Sequence, residues 1–150
     1  MSRPTTSRET DLASTIALEI RAIARRLKQH LRGHGEHGDL KPSQVSIVLR
    51  LEKDGPATVS GLARAEGMRP QSMSAAITPL QEAGLVSGAA DPNDGRQTLM
   101  RLTPKCLKLL REGRAVRQDW LTRRIAQKLS AGEQEKVQAA LRLLMRLVED

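Results

Sequence analysis

The run "RPQSMSAAITPL" puts Arg69, Gln71, Ser72 and Ser74 in the first turns of a helix, with Thr78 one turn beyond. Gln71 can pair bidentately with adenine and Arg69 can reach guanine or a phosphate, while small Ser74 and Ala75 allow a close approach. An ordinary polar helix surface would carry the same residues, so their meaning depends on what positions them. In "DPNDGRQTLMRLTPKC", Asp94 and Arg96 fall in a turn where their charge adds nothing to a core. His30, His34 and His37, with Glu36 and Asp39 nearby, have the ligand types of a zinc site, but so flexible a loop is a poor cage, and a solvated glycine-rich loop is expected. Cys106, in a first helical turn beside Lys105 and Lys108, is either a thiolate activated by the helix terminus or a buried, inert thiol, and the second is expected. No nucleophile, base and orienting group can be assembled, and no phosphate-cradling loop occurs, so neither an enzyme nor a cofactor or bound metal is expected.

The elements that must hold these residues follow from apolar spacing. Leu12, Ile16, Ile20, Ile23, Leu27 and Leu31 recur at steps of three and four, which predicts one long amphipathic helix over 11–32. After "GHGEHGD", Pro42 opens a second helix carried by Val45, Val48 and Leu49 toward Asp54. Thr58 is the expected N-cap of a short helix through Val59, Leu62 and Ala63, ended by Gly67 in a left-handed conformation. Pro70 opens the next helix, which buries Met73, Ile77 and Leu80 and closes at Gly84 and Leu85. "LVSGAA" and "QTLMRL" flank "DPNDG" as a hairpin with Leu99 and either Leu102 or Met100 toward a core. Thr103 and Pro104 launch a helix to about Lys128 with Leu107, Leu110, Val116, Trp120, Leu121, Ile125 and Leu129 in register. Ser130 and Glu133 form a capping box for a last helix carrying Val137, Leu141, Leu144, Leu147 and Val148. Pairing the first and last helices is the expected packing of the termini, with any remaining apolar surface suited to a second subunit.

Composition narrows the partners. The formal net charge is +8, from 25 Lys+Arg against 17 Asp+Glu, which favours polyanions. With Trp120 as the single aromatic residue, stacking of unpaired bases has almost nothing to use. No apolar run approaches the eighteen or so residues of a spanning helix, "MSRPTTSRET" lacks a signal core, and one cysteine builds no disulfide framework, so a cytoplasmic protein without membrane attachment is expected. Lys105, Lys108, Arg111, Arg114, Arg117, Arg123, Arg124 and Lys128, and Arg21, Arg25, Arg26, Lys28 and Arg32, crowd two helices; for most, a solvated face is the expected role rather than phosphate contact.

Two helices meeting at Gly67 and followed by a hairpin predict a winged helix-turn-helix in a mainly α chain with a small β-hairpin wing. The stretch "KPSQVSIVLRLEKDGPATVSGLARAEGMRPQSMSAAITPLQEAGLVSGAADPNDGRQTLMRLT" resembles the MarR family of winged helix-turn-helix regulators, and the resemblance extends over nearly the whole chain. It implies a homodimer on pseudo-palindromic promoter DNA, released by small ligands or oxidants, with dimerisation helices at 11–35 and 104–150 and a DNA-binding domain at 40–103. It also implies that a wing aspartate, by position Asp94, pairs with an arginine to hold the loop, and that Arg96 enters the minor groove, whose narrow form concentrates negative potential. Asn93 and Gly95 replace the further arginines common in the wing, Lys41 stands where threonine is usual, and Gly61 where an acidic residue often completes a cap. The expected function is a sequence-specific double-stranded DNA-binding transcriptional regulator, a repressor by expectation, with Arg69, Gln71, Ser72, Ser74, Thr78, Asp94 and Arg96 at the DNA and a small-molecule effector as a further partner. A winged-helix protein-interaction module that does not bind DNA is the alternative.

Overall fold

Prolines at 42, 70 and 104 each begin a helix, where the missing N–H costs no hydrogen bond. In a computed structural model describing residues 5–35 and 40–149, the elements run α1 (Thr5–Arg32), α2 (Pro42–Asp54), β1 (Ala57–Thr58), α3 (Val59–Glu66), α4 (Pro70–Glu82), β2 (Val86–Ala90), β3 (Thr98–Leu102), α5 (Pro104–Lys128) and α6 (Ala131–Met145). The first helix therefore starts six residues before the expected Asp11. Among the described residues no helix is long and apolar enough to cross a membrane.

The chain divides into a central unit, Glu36–Arg114, and a unit made of Met1–Gly35 with Ala115–Asp150. The central unit holds the core: Ile47, Leu62, Met73, Leu80 and Met100 are fully buried, and Cys106 and Leu110 of the first part of α5 join them. Each such side chain contributes about 1.5–3 kcal/mol by leaving water. On α2 the buried side is Gln44, Ile47, Val48 and Leu51, not the expected side through Leu49, which is 40% exposed. Gln44 is admitted because its side-chain oxygen accepts from the Lys41 backbone N–H at 2.9 Å, giving α2 a cap that the Lys41 side chain, a donor only, cannot provide.

The wing is a three-stranded antiparallel sheet of order β1-β3-β2, one strand more than the expected hairpin. Two residues, Ala57 and Thr58, add to β3 opposite Met100 and Leu99. Met100 supplies the fully buried side chain of β3, with Leu102 on the same face partly buried against the core. Gly88 lies opposite Met100, and a Cβ there would come 2.7 Å from Thr98 Cγ2 and 3.1 Å from Met100 Sδ. Gly88→Val should thus cost about 1–3 kcal/mol by forcing β2 off β3. Urea unfolding checks this, and an unchanged midpoint would show that the strands have more room than the contacts imply.

Thr103 joins the wing to α5. Its hydroxyl donates to the Gly84 carbonyl at 2.6 Å and accepts from the Cys106 N–H at 3.2 Å, so one side chain caps α5 and fastens it to the turn after α4. That turn is closed as expected, with Leu85 N–H bonded to the Leu80 carbonyl at 2.9 Å.

In the other unit the expected capping box forms: Ser130 Oγ accepts from the Glu133 N–H at 3.2 Å and the Glu133 carboxylate accepts from the Ser130 N–H at 2.7 Å. The expected burial of the α1 and α6 stripes is partial: Ile20, Leu27, Leu31 and Leu144 are half-buried. Leu12 is 62% exposed and Leu141 is 53% exposed; Ile16, Ile23, Val137 and Leu143 are exposed as well. Both stripes keep their helical spacing, and among the described residues each leaves part of its apolar surface exposed. Leu147 and Val148, expected in the last helix, lie past its end at Met145.

Candidate nucleic-acid interface

The outward face of α4 is what remains once its core face is fixed. Met73, Ile77 and Leu80 are buried, so the helical period leaves Gln71, Ser72, Ser74 and Thr78 exposed, together with Arg69 just before the helix. Arg69 occupies the N-cap without a side-chain capping bond, and Pro70 has no N–H, so the Arg69 guanidinium is not consumed by the helix start. The Thr78 hydroxyl donates to the Ser74 carbonyl at 2.9 Å, which leaves its oxygen as an acceptor.

Placement of α4 depends on α3 and the turn between them. Thr58 caps α3 as expected, its hydroxyl oxygen accepting from the Gly61 N–H at 3.0 Å. Gly67 has φ +63°, a left-handed value that a side chain would resist, and the Met68 N–H closes back on the Ala63 carbonyl at 2.8 Å. Immediately before that glycine, Glu66 reaches across to α2. Its carboxylate accepts from Arg50 Nε at 2.5 Å and from the Ser46 hydroxyl at 2.8 Å, and Arg50 also lies 3.5 Å from Asp54. The arginine hydrogen bond, and after it the serine bond, hold the Glu66 carboxyl below the usual carboxylate range. Sequence reading missed this cluster because its members are twenty and sixteen positions apart and no periodicity links them.

Asp94 and Arg96 stand at the exposed tip of the wing. The Asp94 carboxylate accepts from the Arg96 backbone N–H at 3.1 Å, and the Asp94 carbonyl accepts from the Gln97 N–H at 3.0 Å. Asp91 braces the other side, its carboxylate accepting from the Asn93 N–H at 2.9 Å. The expected aspartate–arginine pair is thus replaced by backbone capping: the short Asp94 side chain turns onto the amide two residues ahead, as Asx turns do. The consequence for Arg96 is favourable, since no ion pair among the described residues engages its guanidinium.

Two further expectations meet the structure elsewhere. Cys106 is 2% exposed, and burial first, then the nearby Glu52 carboxylate, push its thiol up, against the activation suggested by the helix start and its lysines. Native protein should therefore react with iodoacetamide at least tenfold more slowly than urea-unfolded protein at neutral pH, about the scale set by burial; equal rates would contradict the burial. Glu52 is itself held bidentately by Arg114, fastening α2 to α5. Of the histidines weighed as metal ligands, His34 stacks on Trp120 with ring centroids 4.9 Å apart and His30 lies 6.1 Å from the same ring. His37, Glu36 and Asp39 lie outside the described residues; among those described, no group of three such ligands converges.

A short helix, a left-handed turn, a second helix with a polar outer face and an antiparallel wing together define a winged helix-turn-helix protein. The model of the MarR family matches residues 40–98, from the approach to α2 into β3. The chain is 31% identical over 140 residues to an uncharacterised HTH-type transcriptional regulator of Mycobacterium bovis, an alignment spanning 93% of this chain and 97% of that protein. Among solved structures it is similar to a transcriptional regulator from Thermotoga maritima, with a TM-score of 0.78, 18% identity and coverage of 89% of this chain and 94% of that one. It is also similar to a mutant of Staphylococcus aureus MepR bound to an oligodeoxyribonucleotide, with a TM-score of 0.69, 20% identity and coverage of 89% and 98%. At those identities the two solved structures speak for the fold. The chain belongs to the MarR family of transcriptional regulators.

Proposed function

We propose that this protein binds double-stranded promoter DNA sequence-specifically as a homodimer on pseudo-palindromic sites, represses transcription there, and is released by a small-molecule effector, in the cytoplasm. The observation that carries the reading is the division of α4 into a buried side, Met73, Ile77 and Leu80, and an exposed side of Gln71, Ser72, Ser74 and Thr78. A major groove roughly 12 Å wide admits one such helix, where Gln71 reads adenine, Arg69 a guanine or phosphate, and the small serines permit close approach. Asp94 orders the wing so that Arg96 enters the adjacent minor groove. The solved complex of a MepR mutant with an oligodeoxyribonucleotide supports the reading for a chain of similar fold.

The exposed parts of the α1 and α6 stripes support a second copy as the partner of the helices at 11–35 and 104–150, leaving 40–103 to the DNA. Repression and release by an effector rest on the family resemblance. The experiment is selection of binding sites from random duplex, followed by titration of the selected site and a scrambled duplex at several salt concentrations. The reading expects at least about a thousandfold preference for the selected site and a salt slope reflecting several phosphates. Equal affinity for both duplexes would overturn sequence recognition, and absence of any DNA binding would favour a protein-interaction module.

A further inference from the structure

Apolar packing sets how closely the helices of a helix-turn-helix approach, but its driving force is non-directional. Leu62, Ala63 and Met73 hold α3 and α4 at the right depth, but contacts between aliphatic surfaces change little when one helix rotates by a few degrees or shifts along its axis. Hydrogen bonds to a carboxylate are directional. Glu66 makes two of them, from Arg50 Nε and from Ser46 Oγ, and both donors stand on α2, one turn apart. The carboxylate is at the last residue of α3, directly before the left-handed Gly67, so it fixes the end of α3 from which Arg69 and Gln71 are aimed. The Glu66 side chain is 14% exposed and that of Arg50 37%, so the pair is screened only in part.

We propose that Glu66, held by Ser46 and Arg50, is a positioning residue for base recognition: it sets the angle of the turn and so the register of Gln71 and Ser72 on the base edges, without touching DNA itself. The proposal rests on the DNA-binding reading above. Base contacts demand alignment within a fraction of an ångström, whereas phosphate contacts tolerate small rotations. Loosening the turn therefore lowers affinity for the selected site while leaving affinity for random duplex unchanged.

The test compares wild type with Glu66→Gln, Arg50→Met and the double variant, measuring affinity for the selected site and for a scrambled duplex at one salt concentration, with thermal unfolding alongside. Glu66→Gln keeps the shape and the acceptor for Ser46, so folding is preserved; Ser46→Ala provides a second, milder variant. The expected result is a loss of about three- to tenfold in the ratio of selected to scrambled affinity, the scale of one partly screened charge-assisted hydrogen bond. The double variant should lose no more than Glu66→Gln alone, because both remove one interaction. Scrambled-duplex affinity should stay at the wild-type value, a separation that general destabilisation would not produce. A ratio unchanged in Glu66→Gln, or losses that multiply in the double variant, would overturn the positioning role. Wild type lacking any selectivity would instead overturn the DNA reading on which it rests.

Discussion

Arg96→Glu should lower affinity for the selected site by about 100-fold, combining the loss of one groove-bound arginine with repulsion between a carboxylate and nearby phosphates. Arg96→Ala should lose only about tenfold, since it removes the attraction and adds no repulsion. Arg96 is exposed at the wing tip and its backbone N–H, rather than its side chain, carries the bond to Asp94. The thermal midpoint of both variants should therefore match wild type. Electrophoretic or anisotropy titrations read the affinities. Intact binding by Arg96→Glu would mean that the wing points away from the duplex.

Leu80→Ala should destabilise the central unit by about 2–5 kcal/mol, leaving a cavity where the last turn of α4 meets the core. Leu80 is fully buried among the core cluster, and its carbonyl accepts the bond from Leu85 that closes the helix. A loss of this size is a large fraction of the stability of an ordinary domain, about 5–15 kcal/mol. Denaturant titration checks it, and a change below about 1 kcal/mol would show that the site collapses around the smaller side chain. DNA affinity measured well below the new midpoint should be nearly preserved, because Leu80 lies on the buried face of α4, opposite its exposed polar face. Arg96→Glu and Leu80→Ala thus move binding and stability in opposite proportions.

What the sequence made legible was local. Thr58, Ser130 and the Thr103-Pro104 pair are read within three or four residues of the backbone groups they satisfy, and the structure forms all three caps. The buried face of α4 was equally plain, since Met73, Ile77 and Leu80 leave a single helical phase. On α2 the phase was ambiguous: aliphatic residues at 45, 47, 48, 49 and 51 fit two faces, and burial of polar Gln44, which follows from its bond to Lys41, settles which one packs. β1 is two residues long, too short to alternate, and exists only because β3 offers it an edge. The Asp94 ion pair failed as an expectation because a short carboxylate in a tight turn finds a backbone N–H before it finds a guanidinium. The links Ser46–Glu66–Arg50 and Glu52–Arg114 join residues distant in sequence, and no spacing rule reaches them.

Under the proposed function, two copies of α4 occupy successive turns of one face of a duplex while their wings straddle the adjacent minor grooves. Hydroxyl-radical footprinting combined with methylation interference on the selected site tests this most directly. The prediction is two patches of major-groove guanine and adenine interference centred about 34 Å apart, or a multiple of that spacing, each flanked by minor-groove protection that disappears in Arg96→Glu. A single patch with no symmetry-related counterpart, or minor-groove protection untouched by that substitution, would contradict it.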